Sequence, residues 1–146
     1  MKTLLPILLL VLTSACSRSE ASAADAKPPQ PTGSPAGVRV DVQSKAKLEG
    51  SENEIAVRFH VANGAKRDVA YQGYSEDMPT YSVEFEEGGG WSPYSVGFCG
   101  TGLLDFNLQP GAEMSFQVVI PADGKTYRAK FGDPLVVTPP VVAEAR

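Results

Sequence analysis

The chain has 146 residues, 42% hydrophobic and 21% charged, with 14 Gly and 12 Pro. That length suits one domain, and the composition excludes a collagen, a coiled coil or a wholly disordered chain. Two cysteines and one histidine exclude most zinc sites and any dense disulfide framework, and a formal charge of −4 gives no reason to expect nucleic-acid binding.

The chain opens with a segment that reads as an export signal. Lys2 supplies a positive charge, and Leu4 to Leu12 is apolar throughout, with Pro6 inside it. A membrane-spanning helix needs about 20 apolar residues, so this stretch is too short to span and fits the apolar region of a signal peptide. Leu12-Thr13-Ser14-Ala15-Cys16 follows. It resembles the lipobox of bacterial lipoproteins, in which small residues precede an obligatory cysteine. The pattern ordinarily has Leu three places before the cysteine, where this chain has Thr13, with Leu12 one place further back. The other reading is an ordinary secretory signal cut after Ala15 or near Ala23 or Ala24, with Cys16 incidental.

The resemblance implies a signal peptide over 1–15 and acylation of Cys16, so that acyl chains anchor the protein in a membrane. Each buried methylene contributes about 0.8 kcal/mol, so two or three chains hold stably. Ser17 in place of an aspartate after the cysteine implies the outer membrane, with the protein facing the periplasm or the surface. Loss of residues 1–15, which carry only Lys2, shifts the formal charge from −4 to −5.

Residues 16–36 comprise that cysteine and a Pro/Ala/Ser-rich tether. From Ser17 to Ala36 there is no aromatic residue and no Val, Ile, Leu or Met, too little apolar surface to fold. Pro28, Pro29, Pro31 and Pro35 favour an extended path of about 3 Å per residue.

Residues 37–146 carry every aromatic side chain, from Phe59 onward. Their apolar period is two, which predicts strands with one wet face and one core face. The alternating runs are Val38–Val42, Ile55–Val61, Tyr81–Phe85, Leu104–Leu108, Met114–Ile120 and Tyr127–Phe131. Glu49-Gly50-Ser51, Asn63-Gly64, Gly88-Gly89-Gly90, Pro110-Gly111 and Asp123-Gly124 supply turns between them. No helical stripe is present. The expectation is an antiparallel, immunoglobulin-like β-sandwich of about seven to nine strands.

Phe59-His60-Val61-Ala62-Asn63-Gly64, then Leu108-Gln109-Pro110-Gly111, Phe116-Gln117-Val118, Pro121 and Tyr127-Arg128, resemble the pattern of bacterial extracytoplasmic immunoglobulin-like and fibronectin-III-like domains. These positions are structural, so the resemblance implies a fold and no activity.

Little in this domain points to catalysis. His60, the one histidine, falls on the polar side of a strand among Glu54 and Arg58, where a solvated residue is expected. A single histidine makes a transition-metal site improbable, and no metal or other cofactor is expected. Gly124-Lys125-Thr126 has the ending of a phosphate-binding loop, but Val119 stands where the motif needs glycine. Glu84, Glu86 and Glu87 read as a solvated strand ending at the triple-Gly turn. A calcium site there or at Glu76 and Asp77 has no supporting spacing.

Cys99 lies in the Gly-rich stretch Val96–Gly102. It is either a reactive or intermolecularly paired thiol or a small hydrophobe buried beside Trp91 or Phe98; with Cys16 free, a Cys16–Cys99 disulfide is a further alternative. The best binding candidate is the segment from Tyr71 to Tyr81, which joins predicted strands and mixes Tyr71, Tyr74 and Tyr81 with acids. Trp91 and Tyr94 on a neighbouring loop join it, unless these rings are core or rim residues. The functional expectation is a non-catalytic binding or assembly module contacting another envelope protein. The alternative is a protease inhibitor that inserts the 71–81 and 91–102 loops.

Overall fold

A computed structural model describes residues 33–144. They fold into antiparallel sheets with no helix, stacked as a β-sandwich and not closed into a barrel. One layer holds β1 (Val38–Lys47), β2 (Glu54–Asn63) and β8 (Glu113–Pro121), in the order β1-β2-β8. The facing layer contains two ladders. The first has the order β10-β9-β5-β6, from β10 (Val136–Val137), β9 (Thr126–Phe131), β5 (Ser82–Glu87) and β6 (Gly90–Tyr94), with β11 (Val141–Val142) also on β9. The second has the order β4-β3-β7, from β4 (Met78–Pro79), β3 (Val69–Ser75) and β7 (Leu104–Leu108). Ala70 and Asp133 exchange two backbone hydrogen bonds of 2.9 and 2.8 Å, which join these two ladders side by side.

The alternation read from the sequence places the core. Ile55, Val57, Phe59 and Val61 of β2 pair with Ile120, Val118, Phe116 and Met114 of β8, and all eight are buried. Tyr127, Ala129 and Phe131 of β9 and Val83 of β5 close over them from the other layer. Phe116 meets Phe131 edge-on at 4.9 Å between ring centroids. Burial of each large apolar side chain contributes about 1.5–3 kcal/mol, so this interlayer contact dominates the stabilisation.

The residues of the sequence pattern meet in space. Asn63, fully buried, donates from Nδ2 to the carbonyls of Arg67 (2.9 Å) and Leu108 (2.8 Å), and its Oδ1 accepts from Ala65 N–H at 3.1 Å. Its backbone carbonyl accepts from Gly111, whose φ of 81° lets the Pro-Gly corner turn back onto it. One asparagine thus ties the β2–β3 turn to the β7–β8 corner.

The six predicted strands and all five predicted turns are present, and eight strands have five or more residues. The structure corrects three expectations. The first part of the segment expected to be a loop, Tyr71–Ser75, belongs to strand β3, and Gly90–Tyr94 is a strand where Trp91 and Tyr94 were expected on a loop. Glu84 is buried and not solvated: β5 puts it opposite Arg128 on the outward side of the sheet. There its carboxylate accepts from Arg128 Nε at 2.9 Å and bonds Lys130, while the Arg128 guanidinium lies 4.1 Å over the Trp91 ring. Glu86 and Glu87 are exposed as expected.

Candidate functional site: the junction of segments 71–81 and 91–102

Two segments singled out in the sequence converge beside the outer edge of β8. The first is built by β3, the Glu76-Asp77 turn and β4. Gly73 is required here, because a Cβ would stand 2.6 Å from the Met78 carbonyl oxygen. The turn is held by Ser75 Oγ donating to Asp77 Oδ1 at 2.6 Å and by the Tyr71 hydroxyl donating to the Glu76 carbonyl at 2.7 Å. Thr80 then clips back, its N–H donating to the Gln72 carbonyl at 2.8 Å. The hydrogen bond from Ser75, one from its own backbone and the charge of Arg58 hold the Asp77 carboxyl below the usual aspartate range.

The second segment follows β6. Phe98 sets its ring perpendicular to Tyr81, 4.9 Å between centroids, and Tyr81 also touches the core ring of Phe116 at 6.2 Å. The Tyr74 hydroxyl donates to the Cys99 carbonyl. The Tyr81 hydroxyl in turn accepts from Val119 N–H at 3.4 Å, covering part of the β8 edge. Burial pushes the Tyr81 and Tyr71 hydroxyls above the usual tyrosine value.

Between the segments lies an open groove of about 400 Å³ lined by Arg58, Asp77, Met78, Tyr81, Phe98 and Gln117, among others. Its chemistry is one guanidinium, one carboxylate, two aromatic rings and an exposed methionine. Such groups are able to make charge and ring contacts. Cys99, next in the chain to the groove residue Phe98, is exposed, which corrects the buried alternative. Its Sγ lies 3.1 Å from Thr101 Oγ1, and hydrogen bonds from the Thr101 side chain and backbone lower the thiol's pKa.

The remaining sequence candidates are elsewhere. Tyr71 is a core residue, stacked on Phe106 at 5.6 Å and edge-on to Phe131 at 6.2 Å. Tyr94 packs edge-on against Tyr127 at 5.7 Å, under the sheet that carries Trp91 on its other face. The structure therefore unites Tyr74, Tyr81 and Cys99 and leaves Tyr71, Trp91 and Tyr94 out. Cys16 lies outside the described residues. His60 pairs with Glu113 at 3.2 Å, on the outward side of β2 and β8. Among the described residues no three His, Cys, Asp or Glu side chains cluster to hold a metal ion.

Arg58 and Phe98 were not singled out as binding residues. Arg58 reads in sequence as one more charge on a wet strand face, and only the arrival of β4 beside β8 gives it a groove to line. No family model, no curated protein and no solved structure matches this chain.

Proposed function

We propose that this chain is a lipid-anchored protein of the bacterial envelope whose β-sandwich is a non-catalytic binding module. It engages another envelope protein at the junction of segments 71–81 and 91–102. The observation that carries this reading is the convergence of two sequence-distant segments on one open groove, with Phe98 on Tyr81 and Tyr74 on the Cys99 backbone. Rigid strands position that groove and leave charged and aromatic groups facing outward, the usual arrangement of recognition surfaces on sandwich folds. The anchor rests on Lys2, the Leu4–Leu12 stretch and the lipobox-like sequence ending at Cys16, and Ser17 favours the outer membrane. The pattern running from Phe59 to Arg128 supports an immunoglobulin-like or fibronectin-III-like variety of sandwich.

Exposed Cys99, the neighbour of Phe98, offers the test. A thiol-reactive photocrosslinker placed on Cys99 of the membrane-bound protein should yield one adduct of defined mass, lost when Asp77→Lys and Phe98→Ala are combined. Recovery of monomer alone overturns the binding reading. Palmitate should label the wild type and not Cys16→Ser; label that survives the substitution overturns the anchor.

A further inference from the structure

The edge of β1 is a second place, apart from the loop junction, where the fold presents bonding capacity. Among the described residues β1 pairs with β2 alone, through nine of its ten residues and without a proline. Val38 sits opposite Asn63, yet its N–H donates to Pro35 and the Asn63 N–H to Ala112. Bonded and non-bonded pairs alternate in an antiparallel ladder, so the N–H and C=O groups of Val40 and Val42 also point away from β2.

The side chains along this edge are unusual for a core-facing row. Val42 is in register with buried Phe59, on the side that faces the opposing layer, and is nevertheless 43% exposed. After the bulge at Gln43 the same row continues as Lys45 and Lys47, in register with buried Val57 and Ile55. From the facing layer, the Val142 carbonyl of the two-residue strand β11 accepts from Lys45 Nζ at 2.9 Å, and Val142 is itself exposed. A row that should be covered runs from valines to lysines along an open main-chain edge.

Charge selects the occupant. Arg39, Lys45 and Lys47 against Asp41 make β1 cationic in a chain of net charge −4. Two copies paired edge to edge would bring cation against cation, the usual guard against self-association. An acidic strand meets no such penalty. We propose that β1 accepts an extended, acidic segment of another protein as an added strand, main chain to main chain, with apolar residues over Val40 and Val42 and carboxylates over Lys45 and Lys47.

Two short capped peptides test this, Glu-Thr-Glu-Thr-Val-Thr-Val and the same peptide with Lys for Glu, each added to the full chain while amide hydrogen exchange is read by NMR. The acidic peptide should slow exchange at Val40 and Val42 by roughly tenfold, and the basic one should leave it unchanged. Val42→Pro, which removes an outward N–H without touching the β2 ladder, should abolish the protection. Lys47→Glu, an exposed change that spares the backbone, should weaken the acidic peptide and favour the basic one. Equal slowing by both peptides, no slowing by either, or sedimentation showing dimers that Lys47→Glu strengthens would overturn the proposal.

Discussion

At the scale of single residues, Asn63 shows how much one buried amide does. Its fully buried side chain satisfies two carbonyls and one N–H, of which the bond to the Leu108 carbonyl is buried and the other two are half-buried. Replacement by alanine strands the buried Leu108 carbonyl, which costs about 1–3 kcal/mol, and hands the half-buried Arg67 carbonyl and Ala65 N–H to water. Asn63→Ala should therefore lower unfolding stability by about 2 kcal/mol, read as a fall in the urea midpoint. A loss under about 1 kcal/mol would mean that the β2–β3 turn and the β7–β8 corner are held by other contacts. The sequence flags Asn63 as a turn residue after a strand. It does not show that the acceptor is Leu108, because that contact depends on which strands become neighbours.

At the scale of elements, the β5–β9 pair carries a charged cluster on its outward side. Burial alone would push the Glu84 carboxyl up, but hydrogen bonds from Lys130 and Arg128, with their charges, outweigh it and hold it below the ordinary glutamate value. A depressed folded-state value contributes stability that is complete above the unfolded carboxylate range, near about 4.3. That contribution is lost as pH falls through the folded value. Glu84→Gln should cost about 3 kcal/mol at neutral pH, since it removes the carboxylate from buried Arg128 and half-buried Lys130. It should also flatten the acid limb of the stability curve; an unchanged limb would place the acid sensitivity in other carboxylates. Alternation puts Glu84 on the outward side correctly, and a wet face is the natural expectation there. What defeats that expectation is Trp91, from the neighbouring strand, lying over the Arg128 that pairs with Glu84.

The same comparison explains which elements were legible. β2 and β8 announce themselves because each has one wet and one dry side over nine or ten residues. β3 is shorter, and Gly73 with two tyrosines gives it the look of a binding loop. β10 and β11 have two residues each, too few for any period, and they form because β9 offers them a free edge. The loop junction was half visible: both segments stand out by composition, but the Phe98–Tyr81 contact that joins them is made only in the folded chain.

At the scale of the whole molecule, most of the sheet is made by residues distant in sequence. β2 pairs with β8 and β5 with β9, while the hairpins β1–β2 and β5–β6 are local. Closing such loops costs entropy before any contact repays it, and sandwiches of this kind fold in milliseconds to seconds. Stopped-flow refolding of this domain should fall in that range; a microsecond phase carrying the full amplitude would show that local hairpins suffice.

Trp91 is the single tryptophan of the chain, and it lies over the Arg128 guanidinium in place of the loop groove. Its fluorescence is therefore an optical gauge of the charged patch on β5, β6 and β9. Emission would shift when acid or denaturant loosens that patch and stay level when the groove beside Tyr81 fills, so occupancy there has to be followed through a dye on Cys99.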